Sequence, residues 1–144
     1  MLLDLGSFRK AIKSLENALA VYSSDSTKTL TFETREVIKA GVIQNFEFTY
    51  ELSHKMLKRY LELAAANPVE LSDMSFPDLI RTGSEKGLLL SGWDVWREYR
   101  TARGTTSHTY DAGKATEVLS FIPGFLDEAR FLLAELEKRA IEND

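Results

Sequence analysis

The chain has 144 residues, of which 44% are hydrophobic and 28% charged, with no cysteine and a net charge of −4. Those numbers suit one globular domain, residues 1–144, with its own core, and they exclude disulfides and thiolate metal sites. A pI near 5.3 argues against binding nucleic acid through bulk charge, but leaves room for a local basic pocket.

Met1-Leu2-Leu3-Asp4 lacks a basic stretch followed by an apolar one, and no apolar run approaches the ~18 residues of a membrane helix, so a cytoplasmic protein is expected. Leu5, Phe8, Ile12, Leu15, Leu19 and Tyr22 recur at spacings of three and four, which predicts a helix over about 4–23 with one apolar stripe. Residues 23–27, Ser-Ser-Asp-Ser-Thr, read as a polar loop.

A second helix is predicted from Thr31–Thr34 to about Ala66, roughly 50 Å long at 1.5 Å per residue. It has two apolar stripes, one through Ile43, Phe46, Tyr50, Leu57, Tyr60 and Ala64, the other through Ile38, Val42, Leu52, Met56 and Leu63. A helix apolar on two sides belongs at the centre of a fold, and Asn67-Pro68 ends it. Ser75-Phe76-Pro77-Asp78 opens a short third helix that runs to about Lys86, with Gly87 as its stop.

Gly92 to Arg103 reads as a fourth helix, interrupted by Gly104-Thr-Thr-Ser107. The last begins between Asp111 and Lys114 and carries Leu119, Ile122, Leu126, Ala129, Leu133, Leu136 and Ala140. Pro123-Gly124 within it predicts a kink or a short break. No stretch alternates with period two. The expected fold is therefore all-α, an up-and-down antiparallel bundle of four main helices plus a short one.

The chain has two histidines. His54 lies beside an apolar stripe and reads as a half-buried core histidine. Glu47, Glu51 and Lys58 share its face, and that spacing is not diagnostic of a metal site. His108 lies in a polar stretch five residues after Arg103, with Arg97 and Arg100 adding positive charge just upstream. A bend at Gly104 would bring the Arg103 and His108 side chains together. An imidazole can move a proton near neutral pH, and a guanidinium can stabilise charge on phosphoryl oxygens. RNA supplies its own 2′-OH nucleophile, so this pair needs no metal. Residue types alone fit a helix-capping arginine and a solvated histidine at least as well.

Arg103-x4-His108-x-Tyr110 resembles the Arg-x4-His-x-Tyr motif of the HepT-like proteins of the HEPN superfamily, often described as nucleotidyltransferase substrate-binding proteins. Gln44-Asn-Phe-Glu-Phe-Thr49 in the second helix and Thr106-Ser-His-Thr-Tyr-Asp111 are also similar to that family, and the likeness covers nearly the whole chain. The resemblance implies a helical bundle that forms a homodimer or higher homo-oligomer, with the motif residues of two copies in one cleft. It implies a metal-independent endoribonuclease toxin, without cofactor, that acts on RNA. It also implies a neighbouring minimal nucleotidyltransferase as partner, which silences the toxin by transferring AMP to the motif tyrosine. On this chain His108 would be the general acid/base, Arg103 would hold the scissile phosphate and Tyr110 would be modified. Gln44, Glu47 and Arg100 would support them. The chain departs from many HEPN nucleases in having Gly104 directly after the motif arginine, which puts the nuclease rate in doubt. A non-catalytic subunit that binds a nucleotide or substrate for the nucleotidyltransferase is the alternative.

Overall fold

The computed structural model describes residues 3–142, with side chains through Arg139. Its helices are α1 (Gly6–Ser23), α2 (Asp25–Lys28), α3 (Phe32–Ala64), α4 (Val69–Ser72), α5 (Phe76–Glu85), α6 (Trp93–Thr105) and α7 (Ala112–Glu142), with a 3₁₀ turn over Thr106–His108. There is no strand among the described residues, so the all-α expectation holds. The four long helices α1, α3, α6 and α7 carry the bundle. α1 packs on α3 and α7, and α6 packs on α7. As its two stripes predicted, α3 is central, meeting α1, α4, α5, α6 and α7.

The apolar periodicity becomes the core. Leu5, Phe8, Ile12 and Leu15 are buried, as are Ile43, Phe46, Tyr50, Leu57 and Tyr60 of one α3 stripe and Val42 and Met56 of the other. Ala64 and Leu63, at the end of α3, are exposed. Phe125 of α7 sits edge-on to Phe46 at 5.2 Å and to Tyr99 at 5.4 Å between ring centroids. Trp96 and Tyr50 complete this aromatic centre, each 6.0 Å from Phe125. On α7 Ile122, Leu126, Ala129 and Leu136 are buried as predicted, Leu119 and Leu133 are only half-buried, and Ala115, Val118, Phe125 and Leu132 join the buried set. The side chain of Ala140, last of the predicted stripe, lies outside the described residues, as do Met1 and Leu2.

Local signals set most boundaries. Ser75 caps α5 by accepting from the Asp78 N–H, with proline in the first turn. At the other end Gly87 has φ of +76°. The Leu88 N–H donates to Gly83 O at 2.9 Å and the Gly87 N–H to Ser84 O at 3.1 Å, the paired bonds of a Schellman stop. Asp111 Oδ1 accepts from the Gly113 and Lys114 N–H groups and so starts α7.

Four boundaries differ from expectation. The polar loop at 23–27 contains the single turn α2, because Ser24 accepts from the Thr27 N–H and caps it. α3 stops at Ala64, and Ala65 is already extended (φ −80°, ψ 144°). The helix α6 runs through Gly104 to Thr105 instead of ending at Arg103, since its buried face of Trp96, Tyr99 and Ala102 packs along α7. And α7 is continuous across Pro123, with no break, because Ile122, Phe125 and Leu126 on both sides of it are locked into the core.

Glu128 of α7 is fully buried. Its Oε2 accepts from the Leu90 N–H at 2.6 Å, which pins the segment between α5 and α6. Burial pushes its carboxyl up from the ordinary range, and Ser91, the Leu90 N–H and the Trp96 indole offset this only in part. The native state therefore holds this proton more tightly than the unfolded chain, whose carboxyl titrates at about 4.3. The carboxyl's contribution to stability is thus full below that value and is lost as pH rises through the raised native one. Glu128→Gln keeps an acceptor for Leu90 and removes the titration. Thermal melts across pH 4–8 will show wild type losing stability relative to the variant as pH rises. A constant difference would contradict this assignment.

Candidate functional site

Two long elements build the site. α3 presents Glu47, Glu51 and His54, which spacings of four and three put on one face. α6 presents Arg100 and Arg103 before passing into the 3₁₀ turn. Arg103 is one-third exposed and lies against α3. Its Nε donates to Glu51 Oε1 at 3.1 Å, and its Nη2 is 3.8 Å from Glu47 Oε2. Its Nη1 donates to the Thr106 hydroxyl at 3.0 Å, and that hydroxyl donates to Arg103 O at 2.6 Å. Thr106 is buried, so the guanidinium is held from the turn on one side and from α3 on the other.

The second carboxylate oxygen of Glu51 faces His54 Nε2 at 3.2 Å. The His54 ring stands edge-on to Tyr50 at 5.2 Å and to Phe76 at 5.3 Å. Burial pushes His54 below the ordinary histidine range, with Arg100 and Lys58 adding to the effect and Glu51 opposing it. A neutral ring facing a carboxylate must donate, so Nε2 carries the proton. The packed, half-buried histidine that the sequence suggested is thus observed, with an added link through Glu51 to Arg103. Among the described residues no cluster of three or more His, Cys, Asp or Glu could hold a metal ion.

His108 is exposed at the end of the 3₁₀ turn, and Tyr110, two residues on, is 87% exposed. Their rings meet edge-on at 6.0 Å. Among the described residues His108 has no side-chain hydrogen bond, and it makes no contact with Arg103. The expected bend at Gly104 is absent, because the helix continues there. Arg103 turns to the α3 carboxylates, and His108 and Tyr110 stay free at the turn's outer edge.

The cationic patch expected from Arg97, Arg100 and Arg103 is also divided. Arg100 is exposed and lies over the Phe76 ring, 5.1 Å from its centroid, a cation–π contact. Arg103 faces two carboxylates. Of the supporting residues, Glu47 reaches Arg103, whereas Gln44 points outward from α3 with no side-chain partner among the described residues. Sequence reasoning missed Glu51 as the residue that holds Arg103. Its spacing from Glu47 and His54 was visible, but its partner lies 52 positions away.

An all-α bundle that carries an arginine against α3 and an exposed His-x-Tyr turn between its last two long helices defines a class of small helical site-bearing proteins. Residues 3–138 match the model of the nucleotidyltransferase substrate binding protein-like family, and the chain belongs to that family. It is 43% identical over 105 residues to "Probable ribonuclease HepT" of Haemophilus influenzae, covering 73% of this chain and 71% of that protein. Its fold is also similar to the solved structure of HI0074 from Haemophilus influenzae, described as the fold of a substrate binding domain of a nucleotidyltransferase. The TM-score is 0.88 at 36% identity, over 93% of this chain and 99% of the other. The HepT-like resemblance is thus borne out. No described helix is long and apolar enough to cross a membrane.

Proposed function

We propose that this protein is a HEPN-type, metal-independent endoribonuclease toxin, controlled by a minimal nucleotidyltransferase encoded nearby. The observation that carries the reading is the exposed His108 at the α6–α7 turn, free of any side-chain hydrogen bond among the described residues, on a chain 43% identical over 105 residues to a protein named as a probable ribonuclease. In this reading His108 is the general acid/base, taking the 2′-OH proton or supplying one to the departing 5′ oxygen. The 2′ oxygen attacks the adjacent phosphorus, the bond to the 5′ oxygen breaks, and the products carry a 2′,3′-cyclic phosphate and a 5′-OH. Arg103 stabilises the phosphorane oxygens, with Arg100 as a further cation nearby.

Tyr110 is the proposed point of control. Its exposure leaves the hydroxyl open to a modifying enzyme, and its ring touches His108. AMP transferred there would put a phosphodiester and an adenosine against the acid/base and block substrate. Incubating the protein with its partner nucleotidyltransferase and ATP, then mapping added mass, will place AMP on Tyr110. Addition only at other residues would overturn the control scheme.

One observation favours a second reading, a non-catalytic nucleotide-binding subunit. Arg103 is engaged by Glu47 and Glu51 and not by His108, so the guanidinium and the imidazole that cleavage needs on one phosphate do not meet within the chain. Under that reading the isolated protein binds nucleotide and cleaves no RNA.

A further inference from the structure

Beyond His54 the site runs into an aromatic ledge. Phe76, the first residue of α5, is half-buried where α5 meets α3 and α6. Its ring meets His54 edge-on at 5.3 Å and the half-buried Trp93 ring at 5.9 Å, 72° between planes. Arg100 lies over the same Phe76 ring. Trp93, Arg97 and Arg100 follow one another at spacings of four and three, which puts them on one face of α6. Arg103 is three residues further along. The ledge is thus continuous with the Arg103 cluster, through Glu51 and His54 on α3 and through Arg100 on α6.

Arg97 and Arg100 are exposed, and neither has an ion pair or a side-chain hydrogen bond among the described residues. In this chain of net charge −4, Arg9, Arg81, Arg103 and Arg130 each meet a carboxylate. Packing of α5 accounts for Phe76. It does not account for a guanidinium that rests on an aromatic ring, open to solvent, instead of on a glutamate. We propose that Phe76, Trp93 and Arg100 form a subsite for an unpaired nucleobase, next to a phosphate held at Arg103. A carboxylate ligand would use the charge of Arg100 and leave the rings idle. A base uses both, because the cation–π contact with Phe76 holds the guanidinium while the base stacks on its other side.

The base belongs to a single RNA strand. That choice of occupant rests on the ribonuclease reading above, whereas the base subsite does not. The order of side chains along α6 fits a strand. Arg100 lies about 4.5 Å and Arg97 about 9 Å along the helix axis from Arg103, and a stacked strand advances about 3.4 Å per nucleotide. A phosphate at Arg103 sets a neighbouring base at Arg100, and the next phosphate toward Arg97. A base inside a duplex has both faces covered by its neighbours, so the subsite selects unpaired RNA.

Binding of strands without a 2′-OH tests the subsite on the full chain, apart from cleavage. The probes are an octamer of deoxyadenosine, the abasic octamer with the same phosphates, and AMP. Tryptophan emission reports contact at Trp93, because Trp96 is fully buried. Wild type will bind the base-bearing octamer about 5- to 150-fold tighter than the abasic one, the usual share of a stacked base, and that octamer will quench the emission. Arg100→Lys keeps the charge and loses the plane, at an exposed position where the fold is not at stake. It will bring the ratio close to one and leave affinity for the abasic strand unchanged. Arg97→Ala will weaken both strands alike and flatten the slope of log K against log salt by about 0.7. Equal affinity of wild type for the two octamers, or a ratio that Arg100→Lys leaves intact, would overturn the proposal. Quenching by AMP with no binding of the octamer would give the subsite to a mononucleotide and remove the strand. A wild type that shows the ratio, loses it in Arg100→Lys and yet cleaves no RNA upholds the base subsite and removes only the ribonuclease reading.

Discussion

Replacing His108 by alanine will lower RNA cleavage by about 10²- to 10⁴-fold, the usual share of a general acid/base, or about 3–5 kcal/mol of barrier. The fold will not notice. The side chain is exposed, and its ring contact is with Tyr110, itself 87% exposed. A surface change of this kind moves stability by no more than about 0.5 kcal/mol. Cleavage rates and urea unfolding of the same preparation separate the two effects. A variant that loses activity together with stability would point to a structural role for the turn.

Phe125→Ala will do the opposite, removing stability with no direct contact to the site. Phe125 is fully buried and touches the rings of Phe46, Tyr50, Trp96 and Tyr99, so it joins α3, α6 and α7. Truncating a packed phenylalanine costs about 3–5 kcal/mol, part of it lost transfer energy and part the cavity left behind. The neighbouring large rings can collapse only partly into that space. Urea denaturation at equilibrium will show the midpoint fall. A loss below about 1 kcal/mol would mean that the aromatic centre is not what ties these helices together.

The parts of this fold that depend on neighbouring residues were legible in the sequence. The α1 stripe, the Ser75 cap and the Gly87 stop each follow from a few adjacent residues. α2 and α4 are single turns, too short for any period to register. Gly104 suggested a break because glycine costs a helix interior about 1 kcal/mol. The packing of α6 on α7 outweighs that cost. Glu128 gave no sign of its burial, since one glutamate beside an apolar stripe reads as a surface charge. It becomes buried only because the segment before α6 brings the Leu90 N–H to it.

The site was legible as a motif and misread as a geometry. Arg103, His108 and Tyr110 stood out together, and the structure keeps His108 with Tyr110 at one turn. The partner of Arg103 was out of reach, because the contact joins residues on two helices far apart in the chain. Gln44 and Glu47 looked alike in the sequence and part company in the structure. One faces Arg103 and the other faces outward, and which of two neighbouring helix faces meets α6 is a tertiary fact.

The central claim is most directly tested by incubating purified protein, in excess EDTA, with a labelled RNA and with the same strand carrying 2′-deoxy nucleotides. His108→Ala is run alongside. The account predicts cleavage of the RNA by wild type alone, with 2′,3′-cyclic phosphate ends, and an intact 2′-deoxy strand. Cleavage that requires a divalent metal, or that proceeds equally with His108→Ala, would contradict it.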